Sequence, residues 1–260
     1  INEFFKAEPK EKGKAETSEF VYEDDVQKWL RMIQGNYMPA DGLKLGAERP
    51  PMPFSDVTLQ SVLSHTLWFL PNVASCYAMS NLLRKKQNNF FDDYKIIVCA
   101  GTKAGVGIEA LTPVLNAMGD PLKTKTITLS CGKLTTGVTV RPWSGVFMLR
   151  NLKSPETYFQ TAFRVQSPWE IINDKGDREV IKKECYIFDF ALERALEQIS
   201  DYSCRLKVDD TSPEQKVAEF IAFLPVLAFD GSSMNVINAQ DILDITYAGT
   251  SATLLAKRWQ

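Results

Sequence analysis

The sequence has little of what zinc sites, secreted disulfide folds and membrane spans require. Its 260 residues contain one histidine, His65, and five cysteines without a C-x-x-C pair. Structural zinc needs four closely spaced Cys or His ligands, and small secreted folds need cysteine pairs, so neither class is favoured. No apolar run approaches ~20 residues, and no signal peptide is visible. We therefore expect a reduced, cytoplasmic protein with no bound structural metal and no membrane contact.

A strong charge of one sign is also missing. The formal net charge is −2, so no global basic field surrounds the molecule and any nucleic-acid contact must use a local groove. Hydrophobic residues make up 45% of the chain, enough for one large domain, or for one domain with a smaller annex. The chain opens on Ile1 in the middle of a pattern, and we expect it to be a piece of a longer protein.

Composition and periodicity predict three segments. Residues 1–57 form a linker and an N-terminal helical segment in this interpretation, because residues 1–19 are rich in Lys and Glu. Residues 58–200 alternate strand and helix patterns, which predicts an α/β fold with a parallel sheet and helices on both of its faces. Residues 201–260 predict a small C-terminal helical annex. The strands expected in the central segment are residues 65–70, 94–100, 126–129, 146–149 and 185–190.

Two polar signatures follow the third and fourth of these strands. Residues 131–137 contain two glycines and two threonines, and such a turn can present backbone N–H groups and hydroxyls to a phosphate. Ser154-Pro155-Glu156 is a typical helix start. Gln160 and Arg164 follow four residues apart, so they share one face of that helix. Such a pair is usually a solvated helix face, but beside a Thr-Gly turn it can grip a polyphosphate.

Residues 126–169 resemble motifs V and VI of superfamily 2 helicases, which lie in the second RecA-like domain of those proteins. The resemblance points in particular to the helicase subunits of type I and type III restriction enzymes and related phage-defence proteins. The sequence TGVTV at 136–140 stands where motif V reads T-G-[VLW]-D-[VI]-P. The sequence QTAFRVQS at 160–167 stands where motif VI reads Q-x-x-G-R-x-x-R. Gln160 and Arg164 match, whereas Thr139, Phe163 and Ser167 replace the usual Asp, Gly and second Arg.

The resemblance covers about residues 60 to 195 and implies an ATP-dependent DNA helicase or translocase of a restriction-modification or phage-defence system. Arg164 would be the arginine finger, positioned by Gln160, and Gly137, Thr139 and Gln166 would bind the nucleotide. ATP and Mg would be held mainly by an upstream RecA-like domain, because this chain has neither a Walker A lysine nor an Asp-Glu box. The chain alone is therefore expected to be inactive.

The same resemblance implies DNA, the upstream domain and possible methyltransferase or nuclease subunits as partners. The residues expected to contact the DNA backbone, without reading sequence, are Thr135, Thr136, Lys133, Asn72 and Lys103. Right-handed crossovers place the ends of parallel strands at one edge of a sheet. We therefore expect the Thr-Gly turn and Arg164 to meet at one rim of the sheet and to face a partner domain.

Two other interpretations stay open. A nucleotide-binding Rossmann-like enzyme could use the loop at 101–107, but its glycines run G-x-x-x-G-x-G rather than G-x-G-x-x-G. Asp120 lies where the ribose partner is expected, yet it follows a helix and not a strand. A non-catalytic RecA-like interaction domain is the other possibility, favoured by Phe163 and Ser167.

Overall fold

The computed structural model describes residues 1–36, 51–101, 108–134, 137–206, 211–229 and 234–248. These residues divide into two compact units. Unit 1 contains the described residues of 1–36, 52–151 and 159–190, and unit 2 contains residue 51 and the described residues of 152–158 and 191–248. Thr135, Thr136, Lys103 and most of the glycine loop at 101–107 lie outside the described residues.

The N-terminal segment of unit 1 is folded, although the Lys/Glu-rich composition of residues 1–19 suggested a solvated linker. It consists of β1 (Ala7–Pro9), β2 (Ser18–Phe20) and α1 (Glu23–Ile33), with β1 antiparallel to β2. Three acids open α1, where they interact favourably with the helix dipole. The linker interpretation is wrong because a few widely spaced apolar side chains, Phe5, Ala7 and Phe20, are buried against the core.

A five-stranded parallel sheet forms the centre of unit 1. The remaining elements of this part of the chain are α2 (Val57–Val62), β3 (His65–Phe69), α3 (Val73–Leu83), β4 (Tyr94–Cys99), α4 (Ile108–Met118), β5 (Lys125–Ser130), β6 (Gly145–Met148), α5 (Pro155–Ala162), β7 (Glu170–Ile172), β8 (Arg178–Val180) and β9 (Tyr186–Asp189). The sheet order is β4-β5-β3-β6-β9, and every neighbouring pair is parallel. The predicted α/β class with a parallel sheet flanked by helices is confirmed, and the topology fits a RecA-like or Rossmann-like fold.

The strand order places the first strand of the sheet, β3, at its centre. The chain moves from β3 to the β4–β5 side and then crosses back to β6 and β9 on the other side. All residues of β3 and β6 are buried, as expected for inner strands of a parallel sheet covered on both faces. The crossover from β5 to β6 therefore has to pass the central strand, and it contains the Thr-Gly turn.

An aromatic core fills the space between the sheet and the N-terminal segment. Trp68 of β3 lies 4.9 Å from Phe147 of β6 and 5.8 Å from Trp29 of α1, measured between ring centroids. Phe54 stacks on Phe147 at 5.7 Å. Trp68 and Phe147 are fully buried. The N-terminal segment is thus part of the same hydrophobic core as the sheet.

The described residues from 191 onward in unit 2 form three helices and a hairpin, and the sequence did not predict the hairpin. Its helices are α6 (Leu192–Leu206), α7 (Pro213–Phe223) and α8 (Ala239–Ala248), and its hairpin pairs β10 (Leu227–Phe229) with β11 (Met234–Val236). The three helices pack on one another through buried residues that include Leu196, Val217 and Ile242. The predicted annex starts at residue 201, whereas this unit also includes residues 191–200, because α6 packs on α7 and α8. Within the described residues, no helix is both long and apolar enough to cross a membrane.

Candidate functional site

The segment that leaves β5 alternates between buried and exposed residues. Gly137 is exposed and has a φ of +69°, a left-handed conformation that favours glycine. Val138, Val140 and Trp143 are buried, whereas the Thr139 side chain is exposed between them. The segment is therefore anchored by its apolar residues, and its Gly137 backbone and Thr139 hydroxyl face solvent.

The helix that follows β6 presents the second polar signature. Ser154 Oγ accepts a hydrogen bond of 3.3 Å from the backbone N–H of Thr157, which caps the start of α5 as its sequence predicted. Gln160 is exposed near the end of α5, and a 3-10 turn at Phe163–Val165 follows. Phe163 packs its ring 5.4 Å from that of Phe159. The half-buried Gln166 ends this turn, and its N–H donates to the carbonyl of Phe163 at 3.1 Å.

Arg164 connects the two signatures directly. Its Nη1 donates a hydrogen bond to the carbonyl of Val138, one residue after Gly137. Its Nε donates to the carbonyl of Gln160 at 3.0 Å. Partial burial lowers the pKa of Arg164 from its ordinary value, but the guanidinium stays charged at any physiological pH. The charged Arg164 side chain therefore connects the Gln–Arg helix to the Thr-Gly segment by binding the Val138 carbonyl.

This meeting point is not at the carboxyl rim of the sheet, where we expected it. Lys182 Nζ binds the carbonyls of both Val165 and Trp143. Val165 consequently lies beside Trp143, whose position precedes the start of β6. Arg164 thus lies along the flank of the sheet.

Lys182 also connects these segments, and the sequence analysis did not single it out. Its Nζ donates to the carbonyls of Arg141 at 2.7 Å, Trp143 at 2.8 Å and Val165 at 2.7 Å. Burial lowers the pKa of Lys182 to about 8, so the ammonium form still predominates at neutral pH. No local pattern distinguishes Lys182 from its exposed neighbour Lys183.

A second polar cluster does lie at the carboxyl ends of the strands. Asn72 caps α3, with its side-chain oxygen accepting from the Ser75 N–H at 2.9 Å. Arg150, which follows β6, donates to the carbonyl of Cys131 at 2.9 Å and lies 5.6 Å from the centroid of the Phe69 ring. The Cys131 pKa falls to about 7 because the Cys76 thiol donates to its sulfur and because Arg150 and Lys133 are close by.

The structure therefore separates the predicted site residues into two groups. Gly137, Gln160 and Arg164 come together, with Thr139 and Gln166 close to them in the chain. Asn72 and the half-buried Lys133 belong instead to the carboxyl-end cluster, whose Arg150 the sequence analysis had not identified.

The chemistry of the first group suits a phosphate rather than a metal. Arg164 and the exposed Gln160 amide offer N–H donors, and a guanidinium is well matched to phosphate oxygens. Among the described parts of the chain, no group of three His, Cys, Asp or Glu residues could hold a metal ion. These N–H donors thus suit an anionic group such as a phosphate, whereas a magnesium ion would need carboxylates from elsewhere.

Comparison with known proteins gives a similarity to a protein named as a restriction enzyme and methyltransferase. No family model matches the chain. The chain is similar to a Mycoplasma pneumoniae protein named "Putative type II restriction enzyme and methyltransferase RM.MpnORF110P C-terminus", at 32% identity over 197 residues. The match covers 75% of this chain but 27% of that protein. The chain thus spans about a quarter of the length of the curated relative it matches.

Proposed function

We propose that this chain is the second RecA-like domain of an ATP-dependent DNA helicase or translocase in a restriction-modification or phage-defence system. The observation that carries the proposal is the Arg164–Val138 hydrogen bond, set in a parallel sheet whose first strand is central. It joins the segment after the third strand of the sheet to the helix after the fourth. The similarity to a protein named as a restriction enzyme and methyltransferase supports the choice of biological system.

In this proposal Arg164 stabilises negative charge on the transferred phosphate in the transition state, and Gln160 positions it. Gly137, Thr139 and Gln166 line the same nucleotide-facing surface. The exposure of Gly137, Thr139 and Gln160 supports this role, because a partner domain can reach them. ATP and its Mg are held mainly by an upstream RecA-like domain, which supplies the metal-binding carboxylates. The chain alone is inactive.

DNA is the proposed partner of the carboxyl-end residues. Asn72 is exposed and Lys133 is half-buried at this edge of the sheet, and Thr135, Thr136 and Lys103 are proposed to extend the same surface. Such contacts to phosphates fix the position of the strand and read no sequence. Separate methyltransferase or nuclease parts would provide the cleavage and modification chemistry.

The test is DNA-stimulated ATP hydrolysis by the complete protein. Arg164→Ala is expected to lower kcat on the order of 10³-fold, the usual effect of losing an arginine finger. Arg178→Ala is the matched control, because Arg178 is an exposed arginine of β8 outside both polar clusters. Full activity in the Arg164 variant of an active protein would show that the assigned role is wrong.

Two observations favour the non-catalytic alternative. Arg164 already donates to two backbone carbonyls, and Phe163 fills the position at which relatives carry glycine. A complete protein that binds DNA but hydrolyses no ATP would support that alternative. Tight binding of NAD or NADP by this chain would instead favour the Rossmann-like enzyme.

A further inference from the structure

We propose that Lys182 is a positioning residue that holds Arg164 against the segment after Gly137. The inference rests on the proposed function, since it concerns the residue assigned there as the arginine finger. Its basis is one ammonium group with three backbone carbonyls around it, those of Arg141, Trp143 and Val165, all within 2.8 Å. Two of these carbonyls belong to the segment after Gly137, and the third belongs to the residue that follows Arg164.

The bonds of Lys182 and Arg164 close a ring. Arg164 Nη1 binds the Val138 carbonyl, the chain continues to Arg141 and Trp143, and Lys182 connects their carbonyls to Val165. Arg164 supplies a second polar link between the two segments through the Val138 carbonyl. To bind a phosphate, the Arg164 guanidinium must release the Val138 carbonyl, and this bond then no longer holds Arg164 in position. Lys182 therefore keeps the two segments together while Arg164 changes its hydrogen-bond partner.

The lysine is well suited to this task. An ammonium has three N–H donors that diverge from a single atom, so it satisfies three converging carbonyls, whereas the planar guanidinium of arginine cannot. Its backbone is also anchored: the N–H groups of Ile181 and Lys182 donate to the Trp169 carbonyl at 2.9 and 3.3 Å. These bonds lie at the base of the β7–β8 hairpin, so the hairpin fixes the point from which the side chain extends.

The first experiment measures DNA-stimulated ATP hydrolysis by the complete protein. Lys182→Met keeps the length of the side chain and removes the donors, and Lys183→Met is the matched control on an exposed neighbour. A misplaced catalytic group typically costs up to about 100-fold, so we expect Lys182→Met to lower kcat by 10- to ~100-fold with KM for ATP nearly unchanged. The control should retain the activity of the unmodified protein.

A double-variant cycle separates positioning from simple loss of stability. If Lys182 acts through Arg164, adding Lys182→Met to Arg164→Ala should lower kcat no further than Arg164→Ala does. Additive losses would overturn the proposal, as would an unchanged kcat in Lys182→Met. If Lys182→Met does not fold, Lys182→Arg is the second variant, because it keeps the positive charge at this half-buried position. Combining Lys182→Arg with Arg164→Ala then tests whether Lys182 acts through Arg164.

A second measurement does not depend on ATPase activity. Amide hydrogen exchange in Lys182→Met should increase together in peptides covering 138–143 and 160–166, and it should stay unchanged in Lys183→Met. Unchanged exchange in both peptides of the folded Lys182 variant would overturn the positioning role. A complete protein without ATPase activity but with this exchange response would overturn the proposed function and leave the Lys182 contacts supported.

Discussion

Two regions of unit 1 are held in place by different kinds of interaction. Between the sheet and the N-terminal segment, Trp68 contacts Trp29, Phe54 and Phe147 through ring faces and edges. On the flank of the sheet, Arg164 and Lys182 bind backbone carbonyls of the segment after β5 and hold it in place. Apolar burial is nondirectional and is lost only when the surfaces separate. A hydrogen bond to a carbonyl can be exchanged for one to a ligand. The flank is therefore better suited than the aromatic core to a site whose contacts change on ligand binding.

The largest effect is expected from breaking the apolar region. Trp68→Ala should lower the free energy of unfolding by about 3–5 kcal/mol, because it leaves a cavity at a fully buried position. Urea unfolding followed by circular dichroism measures the change. Phe223→Ala, which truncates an aromatic side chain that is 67% exposed, is the control and should have little effect. Equal losses in the two variants would contradict the central role of the aromatic core.

A smaller loss of stability is expected at Gly137, in the Thr-Gly turn of the flank. Gly137→Ala should lower the free energy of unfolding by roughly 1 kcal/mol, because a left-handed φ of +69° strains an L-residue. An added Cβ meets no atom within 4 Å, so the loss would come from the backbone alone. Gly137→Asn should cost less, since Asn tolerates this conformation better. The same urea titrations measure both variants, and an equal loss for Ala and Asn would argue against backbone strain as the cause.

The smallest effect is expected at His65, the first residue of β3. Its Nδ1 is 2.9 Å from Thr126 Oγ1, its Nε2 is 2.8 Å from the Pro121 carbonyl, and its ring lies 6.4 Å from Trp169. Burial lowers the His65 pKa below 6.5, so the folded state binds fewer protons than the unfolded state. The contribution of His65 to stability is therefore full above pH 6.5 and is lost as pH falls through the folded-state pKa.

The single histidine makes this measurement direct. The imidazole C2 proton in the NMR spectrum belongs to His65 alone, and its titration midpoint should fall below 6.5. A midpoint at or above 6.5 would contradict the buried, neutral ring. His65→Gln serves as the control in acid unfolding, because its stability should depend less on pH below 6.5.

The inner strands could be predicted because their residues carry a local signal. Residues 65–70, 126–129 and 146–149 are continuous apolar and β-branched runs, and β3, β5 and β6 form there. The β1–β2 hairpin was missed because each strand has three residues and few of them are apolar. The order of strands in the sheet follows from no local pattern, because it depends on which crossovers pack together.

The site was predictable only in part. Gln160 and Arg164 could be identified because residues four apart lie on one face of any helix. The Thr-Gly turn could be identified from its glycine. Their meeting on the flank could not be predicted, because Arg164 and Val138 lie far apart in the chain. Arg150 was missed because a lone arginine after a strand resembles any surface arginine until its carbonyl partner is known.

The order of residues along the chain specifies the alternation of strands and helices, the class of fold and the pair of polar signatures that follow the third and fourth strands of the sheet. Which of two adjacent lysines becomes half-buried depends on long-range packing. Lys182 and Lys183 have the same side chain in the same local sequence, yet the bonds of the hairpin base to Trp169 direct only Lys182 toward three carbonyls. Those carbonyls come from segments 17 to 41 residues away, and only folding brings them to one atom.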